Sequence, residues 1–367
     1  MICFKHIFRV PGERLMSQQK GVALLMVIWI LMLLTVIVTE FCYTMRGQVN
    51  ITRNLKESTQ AYYVAQAGVN RAIAAVIKDQ MAPERNRGEA EEDVADGEPP
   101  KWRINTEMPA IDYGKGQFAV HIQNESGRVD INRAGPKILR TILEGFDLDE
   151  DQRNTIVDSI MDWRDANDLH RSNGAEDDYY QSLDPPYECK DADFDSVAEL
   201  LLVKGVTPEI FYNGLDQIAT VLPAVKDSVE KDKKAGKDYN FDQININAAT
   251  DEMWRRLPGM TPELVEAVKE FRKEKKFRSK SHLVEVLGGE VYGKIAPYIN
   301  FESLAYYNIT STGGIEGSGS RQGIEVKIVL DPEADNGYRI ISWRDGIPKH
   351  STALLEAVGD KSRQRSF

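Results

Sequence analysis

The residues best suited to chemistry form a run of carboxylates near the middle of the chain. Five of them crowd one short stretch and a sixth follows: Asp165, Asp168, Glu176, Asp177, Asp178 and Asp195. Because so many negative charges repel one another, a hard divalent cation with oxygen ligands would stabilise this loop. The spacing differs from that of an EF-hand, since Leu169 and His170 stand where that loop needs a ligand and a glycine. Two interpretations stay open: a site for a hard divalent cation, or an acidic loop that only water solvates.

Catalysis has little support in this stretch. His170 has no serine or cysteine nucleophile beside it in a recognisable motif. The chain also shows no zinc-ligand spacing, no phosphate-binding glycine loop and no catalytic triad motif. We therefore predict that the protein is not an enzyme.

The acidic run lies within a region whose pattern predicts helices. Helical spacing or start signals mark these segments: Pro136 to Glu144, Glu150 to Trp163, Val197 to Val203, Pro208 to Ile218, Glu252 to Leu257, Pro262 to Glu274 and His282 to Leu287. The pairs Thr207-Pro208 and Thr261-Pro262 are clear start signals, because threonine caps a helix and proline fits its first turn. Residues 133–300 are therefore predicted to form a helical domain.

Strand patterns flank this helical region on both sides. Residues 117–124 alternate between apolar and polar, and Val129 to Ile131 follow a Ser-Gly turn, so we predict a hairpin there. Further strands are predicted at Ala305 to Thr310, Gly323 to Leu330 and Tyr338 to Trp343. Strands so widely separated imply an insertion. The expected class is α+β, in which residues 101–132 and 301–367 share one small antiparallel sheet and residues 133–300 are inserted between them.

Two short motifs recur inside the helical region. Ile131-Asn-Arg-Ala134 is echoed by Ile246-Asn-Ala-Ala249, and Val203-Lys-Gly-Val-Thr-Pro208 is echoed by Leu257-Pro-Gly-Met-Thr-Pro262. A charged, lysine-rich linker is predicted between the two halves, at Val225 to Asp238.

The second half of this region resembles a helix-hairpin-helix module, which in other proteins grips the DNA backbone through hairpin N–H groups and nearby cations. A basic cluster accompanies it: Arg272, Lys273, Lys275, Lys276, Arg278 and Lys280. The hairpin itself has a single glycine, Gly259. In an acidic chain, a helical pair used for packing is the favoured interpretation, and nucleic-acid binding is the minority one.

The N-terminus carries a membrane signal. Residues from Val22 to Thr39 are uncharged, mostly Leu, Ile, Val and Met, and long enough to cross a bilayer as a helix. The leader, residues 1–21, is cationic, so its end stays cytoplasmic and the body is exported. A secretory signal peptide would end in small residues, which this run lacks, whereas an uncleaved anchor stays open. Because helical periodicity continues, we predict one helix at residues 22–80 and a polar linker at residues 81–100.

Charge and cysteine content argue against a nucleic-acid-binding surface and a fold held by disulfides. The formal net charge is -11, so the surface repels nucleic acid and attracts cations. Of three cysteines, Cys3 lies in the leader and Cys42 at the end of the apolar run, which leaves Cys189 without an obvious partner. No disulfide framework is expected.

Two stretches carry a resemblance to a known family. GVALLMVIWILMLLTVIVTEF, followed by NLKESTQAYYVAQAGVNRA, is similar to the N-terminus of the minor pseudopilin K family of type II secretion systems. DWRDANDLHRSNGAEDDYYQS, with FDSVAELLLVKGVTPEIF, is the more specific match. Ordinary pilins and the other pseudopilins carry Glu at the fifth position after the prepilin cleavage site. Here that position is Met26, and the K family is the one that lacks this Glu.

The resemblance implies a pseudopilin fold, processing by prepilin peptidase between Gly21 and Val22, and N-methylation of the new terminus. It also implies two neighbouring calcium ions in the helical domain, so calcium is the expected metal for the six carboxylates. The predicted location is the inner membrane, crossed once, with a periplasmic body.

The same resemblance implies a role at the tip of the pseudopilus, where the K subunit initiates or caps assembly for export of folded proteins across the outer membrane. The expected partners are the minor pseudopilins I and J, the other pseudopilins, the inner-membrane platform and prepilin peptidase. Two alternatives stay open. One is a DNA-uptake minor pilin that uses the helix-hairpin-helix module, and the other is a membrane-anchored calcium-dependent enzyme.

Overall fold

The computed structural model describes residues 19–81, 104–105, 109–223 and 239–346. The predicted leader lies almost wholly outside these ranges. The predicted linkers at residues 81–100 and 225–238 and the C-terminal tail also fall outside them, apart from the last residue of the first helix.

The first helix, α1, runs from Gln19–Met81. Residues up to Thr59 and residues from Gln60 onward are two separate structural units. In the first unit the apolar side chains from Val22 to Val38 are exposed, and Met26 is 58% exposed. Among the described residues, this is the one helix long and apolar enough to cross a membrane. A run of exposed Leu, Ile and Val is costly in water, so this stretch needs an apolar surrounding.

In the second unit the remainder of α1 packs on an antiparallel sheet. The strands are β1 (Ile111–Tyr113), β2 (Gly116–Asn124), β7 (Tyr306–Ile315), β8 (Arg321–Leu330) and β9 (Tyr338–Asp345). They lie in the order β1-β2-β7-β8-β9. The core between helix and sheet contains Val69, Ile73, Phe118, Ile309 and Val326. The expected α+β class is confirmed.

Close contact between helix and sheet depends on glycine. At Gly313 of β7, a Cβ would overlap the Ala61 carbonyl oxygen and the Ala65 nitrogen. At Gly68 of α1, a Cβ would overlap the Ser311 hydroxyl. Side chains larger than hydrogen at these positions would force the helix off the sheet.

Strands β2 and β7 are paired although nearly the whole helical region separates them in the chain. Their ladder runs from Gly116↔Ile315 to Asn124↔Tyr307. The predicted hairpin between residues 117–124 and Val129–Ile131 is wrong. A short 3-10 helix, Glu125–Gly127, follows β2 directly and leads the chain away from this sheet.

The helical region contains more elements than predicted. In chain order they are β3 (Val129–Asp130), α2 (Pro136–Leu143), α3 (Glu150–Arg164), α4 (Asp177–Tyr180), a 3-10 helix (Val197–Leu202), α5 (Pro208–Ile210), α6 (Asp216–Ile218), β4 (Ala219–Thr220), β5 (Ile244–Asn245), α7 (Asp251–Arg256), α8 (Pro262–Glu274), α9 (Lys280–Leu287), α10 (Gly289–Ile295) and β6 (Ile299–Asn300). Elements α4 and α10 and the short strands β4, β5 and β6 were not predicted, whereas β3 was predicted with the wrong partner. One contiguous core, with Trp254, Tyr180 and Phe277 among its largest buried side chains, joins these elements.

The predicted helix from Pro208 to Ile218 is wrong in its middle. Between α5 and α6 a π-helical turn, Phe211–Leu215, interrupts the α-helix. Gly214 has φ +126° there, which an L side chain rarely adopts, and a Cβ would also press on the Glu252 carboxylate at 2.5 Å.

The recurring Ile-Asn motifs mark two similar halves. In the first half β3 pairs with β4 in parallel, and in the second half β5 pairs with β6 in the same way. Each motif is also held by an arginine from a later helix. Arg164 donates to the Ala134 carbonyl at 2.7 Å, and Arg272 donates to the Ala249 carbonyl at 2.7 Å. The other predicted echo occupies different places, because residues 203–208 follow the 3-10 helix of the first half, its fourth helix, whereas residues 257–262 follow α7, the first helix of the second half.

Candidate metal centre

The acidic loop begins at the C-terminal end of α3, where Asp162 organises the chain that follows. Its side chain is fully buried and accepts hydrogen bonds from the backbone N–H groups of Arg171 and Ala175, both at 3.0 Å. The Arg171 guanidinium pairs with the same carboxylate. At Gly174 a Cβ would overlap this carboxylate, so only glycine fits. Asp162 is therefore a structural anchor of the loop, which the sequence interpretation did not identify.

An aromatic wall closes the other side of the loop. Trp163 and Tyr180 meet edge to face with ring centroids 5.1 Å apart, and Trp163 lies 6.3 Å from both Tyr187 and Phe194. Such pairs contribute about 0.5–1.5 kcal/mol each beyond their buried area. The wall fixes α4, and with it Glu176, the residue that precedes this helix.

Glu176 is the most unusual carboxylate of the loop. It is 3% exposed, and neither of its buried carboxylate oxygens has a hydrogen-bond partner among the described residues. Burial raises the pKa of Glu176 to about 7, and the carboxylates of Asp162, Asp191 and Asp165 raise it further, while the Cys189 thiol opposes the shift. A buried carboxylate without a partner costs free energy unless it is protonated or binds a cation.

Two residues from later in the chain meet Glu176. One ligand atom each from Glu176, Cys189 and Asp191 lies within 4.8 Å of the others. Asp177 holds them in place, since its Oδ1 accepts the Cys189 backbone N–H at 2.6 Å. Asp191 has φ +48°, an uncommon conformation for a residue other than glycine, and its buried Oδ1 also has no hydrogen-bond partner. Orphaned oxygens on two converging carboxylates are part of the six to eight oxygen ligands that a calcium ion takes.

Cys189 changes the chemistry of this cluster little. Burial raises the pKa of its thiol above the usual range, and the neighbouring Glu176 raises it further. A neutral thiol is a poor metal ligand, whereas a thiolate binds soft and borderline metals. The two carboxylates, not the sulfur, give the site its preference for oxygen-seeking cations.

The structure brings one of the six predicted ligands, Glu176, into this cluster and leaves the other five outside it. Asp165 pairs with Arg171 at 2.7 Å, and Asp195 pairs with Lys190 at 2.7 Å. Asp177 accepts the Cys189 N–H, and Asp178 accepts the Tyr179 N–H at 2.8 Å.

Asp168 is exposed. Cys189 and Asp191 were not predicted as ligands, because no spacing rule links them to Glu176. The acidic composition of residues 188–195 was the available signal.

The helix-hairpin-helix part of the second half has the expected local geometry. Thr261 caps α8 by accepting the Leu264 N–H, and Gly259 in the preceding hairpin has φ +78°. The Lys294 side chain lies near Gly259 and pairs with Glu290 at 2.8 Å. Basic side chains of the predicted cluster lie at the other end of α8, away from the hairpin.

Comparison with known proteins gives one family. The family model for protein K of the type II secretion system matches residues 120–224, which include β3, the acidic loop and β4. The chain is 26% identical to the type II secretion system protein K of Pseudomonas aeruginosa over 68% of its own length and 72% of that protein. It is 26% identical to protein K of Aeromonas hydrophila over 57% of its own length and 65% of that protein.

A solved structure shares the fold. It is the complex of GspK, GspI and GspJ from enterotoxigenic Escherichia coli, and the match has a TM-score of 0.54 at 15% identity. The match covers 81% of this chain and 99% of the E. coli chain.

Proposed function

Since the chain belongs to the protein K family of type II secretion systems, the minor pseudopilins, we propose that it stands at the tip of the pseudopilus and initiates or caps its assembly. The observation that carries this proposal is the insertion between β2 and β7. These strands are neighbours in the sheet, yet the chain between Asn124 and Tyr306 forms a large separate core. A body of that bulk beside a pilin-like sheet would obstruct stacking of a further subunit.

The N-terminal helix supports the membrane part of the proposal. The protein is anchored by a single apolar helix and carries a folded body. The basic leader orients that helix with its start in the cytoplasm, so the anchor lies in the inner membrane and the body in the periplasm. Prepilin peptidase would cut between Gly21 and Val22, and the new terminus would be methylated.

Met26 supports the tip position. In a stacked subunit a carboxylate at this place would neutralise the N-terminal amine of the subunit above, because an unpaired charge in the membrane is costly. A subunit with nothing above it has no such need. Met26 is apolar, like the residues on both sides of it, so it brings no unpaired charge into the membrane.

The partners proposed for this chain are the minor pseudopilins I and J. Their counterparts crystallised with GspK in the E. coli complex that shares this fold. The other pseudopilins and the inner-membrane platform would contact the complex of this chain with I and J. No catalytic step is part of this function.

Calcium binding is the second part of the proposal. Glu176 and Asp191 would supply carboxylate oxygens to one ion, and their orphaned buried oxygens support this assignment. The remaining predicted ligands, namely Asp165, Asp168, Asp177, Asp178 and Asp195, lie outside the cluster in this structure and would have to move toward it to complete the shell or to hold a second ion. When bound, the metal neutralises the clustered charge, so it would fix the loop against the aromatic wall.

Co-expression tests the tip assignment. The full-length chain, expressed with the I and J subunits of its own secretion system and extracted in detergent, should elute with both in constant ratio on size-exclusion chromatography. Elution of this chain alone at micromolar concentration would contradict the proposal. Salt-dependent binding of duplex DNA by the same preparation would favour the uptake pilin instead.

A further inference from the structure

A basic cleft lies where the chain leaving α8 meets the end of the sheet. It has a volume of about 420 Å³. Its charged and apolar lining includes Arg272, Lys275, Lys276, Arg278, Asp79 and Phe301, and we call it the α8 cleft. Asp79 is the one carboxylate among the described residues that line it. The cleft is locally cationic although the formal charge of the chain is -11.

Arg272 forms the inner wall of the cleft. Its Nη1 donates to the Ala249 carbonyl at 2.7 Å, whereas its buried Nη2 has no hydrogen-bond partner among the described residues. Burial lowers the pKa of Arg272 to about 10, with Asp251 opposing the shift, so the guanidinium is still charged at neutral pH. Leaving a charged donor buried and unsatisfied is costly, and an anionic acceptor would remove that cost.

Lys275 and Lys276 add charge nearer the opening. Lys275 is exposed and Lys276 is partly buried. Neither ammonium forms an ion pair with a carboxylate in the part of the chain that the structure describes. Two unneutralised lysines next to a partly buried arginine raise the local concentration of anions.

The backbone that carries these cations is held rigidly. Asn247 donates to the Phe277 carbonyl at 2.9 Å and accepts the Phe277 N–H at 2.8 Å. The Phe277 ring also stacks on Phe271 of α8 with centroids 4.4 Å apart. A ligand therefore meets a preformed arrangement, which lowers the entropy that binding must overcome.

The cleft also has an apolar side. Phe301 is 39% exposed, an unusual exposure for a phenylalanine in this body, and Ile104 and Tyr307 lie beside it. An apolar surface next to clustered cations matches a peptide that alternates acidic and apolar side chains.

We propose that the α8 cleft binds an acidic peptide segment of another protein, with carboxylates on Arg272, Lys275 and Lys276 and an apolar side chain on Phe301. A volume near 420 Å³ admits a few side chains but not a nucleic-acid duplex. A short peptide also meets only the local positive field, whereas a long polyphosphate would meet the acidic remainder of the chain. The proposal is independent of the tip assignment and of calcium, because it needs only the folded body of the chain.

Fluorescence anisotropy with the full-length protein in detergent tests this. The probe is a labelled peptide of sequence Glu-Glu-Leu-Glu-Glu-Phe, and the matched probe replaces each Glu by Gln. We expect the glutamate peptide to bind and the glutamine peptide to bind at least about tenfold more weakly, as loss of several charge-assisted hydrogen bonds implies. Equal binding of the two peptides would overturn the proposal.

Variants locate the site. Lys275→Gln and Lys276→Gln should each weaken binding about threefold, the usual effect of one exposed ion pair, and Arg272→Gln about tenfold or more. Lys115→Gln, in the exposed turn between β1 and β2, is the control and should bind as the parent does. Arg272→Gln also loses the hydrogen bond to the Ala249 carbonyl. If the Arg272→Gln protein does not fold for that reason, the two lysine variants test the site. Equal weakening by Lys115→Gln would overturn the assignment to this cleft.

Two competition arms identify the occupant. A duplex DNA oligonucleotide that displaces the peptide at equal anionic charge would overturn the proposal in favour of nucleic acid. A variant with Glu89, Glu91 and Glu92 changed to Gln tests the acidic stretch of this chain, which lies outside the described residues. If the peptide binds that variant but not the parent, the chain itself supplies the occupant and the proposal fails.

Discussion

Asn132 and Asn247 form the same clamp in the two halves of the helical region. Asn132 donates to the Phe194 carbonyl at 3.0 Å and accepts the Phe194 N–H at 2.8 Å. Asn247 makes the corresponding pair with Phe277 at 2.9 and 2.8 Å. Each asparagine thus satisfies both backbone groups of a buried phenylalanine and sets where the chain re-enters the core after a long helix.

Removal of one clamp should destabilise the body strongly. Asn132→Leu or Asn247→Leu leaves one N–H and one carbonyl unsatisfied next to the core, which costs about 2 to 4 kcal/mol. Urea denaturation followed by tryptophan fluorescence measures this, with the exposed Asn70→Leu as control. A loss below about 0.5 kcal/mol, the usual range of surface changes, would contradict the role given to the clamp.

Calcium should raise the melting temperature, and this effect should depend on Glu176. Free calcium at a hundred times its dissociation constant would stabilise the fold by about 2.7 kcal/mol relative to chelator. In Glu176→Gln the calcium effect should disappear, and the protein without metal should be no less stable, because an unpaired buried carboxylate is gone.

Asp147→Asn, an exposed acid outside the loop, is the control for calcium dependence. Asn variants of the five other predicted ligands show which of them take part. Equal melting temperatures with calcium and with chelator, together with no calcium in elemental analysis, would leave the interpretation of a water-solvated loop.

His121 should contribute a loss of stability between pH 6.5 and pH 4. Burial lowers the pKa of His121 to about 4, and Arg128 and Arg272 lower it further, with Asp251 opposing them. In this interval the unfolded chain binds a proton that the folded chain does not, so the folded state loses stability as pH falls. The expected contribution of His121 from pH 7 to pH 5 is a loss of about 2 kcal/mol. Glu176, whose pKa is raised to about 7, opposes it, because the folded chain binds that proton more readily than the unfolded chain does. The measurement is therefore the difference between the parent and His121→Gln in the change of urea midpoint from pH 7 to pH 5, and equal changes in the two proteins would contradict the prediction.

Processing should leave Val22 at the N-terminus. Mass spectrometry of the membrane-extracted protein should find an N-methylated peptide that begins with this residue, because the cationic leader precedes a Gly-Val junction at the start of the apolar run. An intact peptide that spans Lys20 to Trp29 in the mature protein would favour the uncleaved anchor.

Local rules predicted the elements whose ends are set by capping. The predicted bounds of Pro262 to Glu274 agree with α8, whose start follows from the threonine cap and the proline in the first turn. The predicted bounds of β8 and β9 agree with the structure to within two residues, whereas β7 continues to Ile315, beyond the predicted end at Thr310. The two-residue parallel ladders could not be predicted, because so short a strand has no period and depends on a partner far along the chain.

The candidate site was also predicted only in part. The sequence identifies the acidic loop and Glu176, but the approach of Cys189 and Asp191 depends on the hydrogen bond from the Cys189 N–H to Asp177 and on the aromatic wall. The sequence does not distinguish the buried Asp162 from the other acidic residues, because its role depends on its hydrogen bonds to the Arg171 and Ala175 N–H groups.

The two Asn–Phe clamps belong to halves that share a backbone arrangement but differ in the charge of one segment. In the first half, the segment between Arg164, which binds the Ala134 carbonyl, and Phe194 is long and acidic. In the second half, the segment between Arg272, which binds the Ala249 carbonyl, and Phe277 is short and mostly basic. Both segments begin after an arginine that binds an Ile-Asn motif and end at a phenylalanine that an asparagine holds. The same framework therefore supports one long acidic segment that contributes side chains such as Tyr180 to the core, and one short basic segment that leads directly to Phe277.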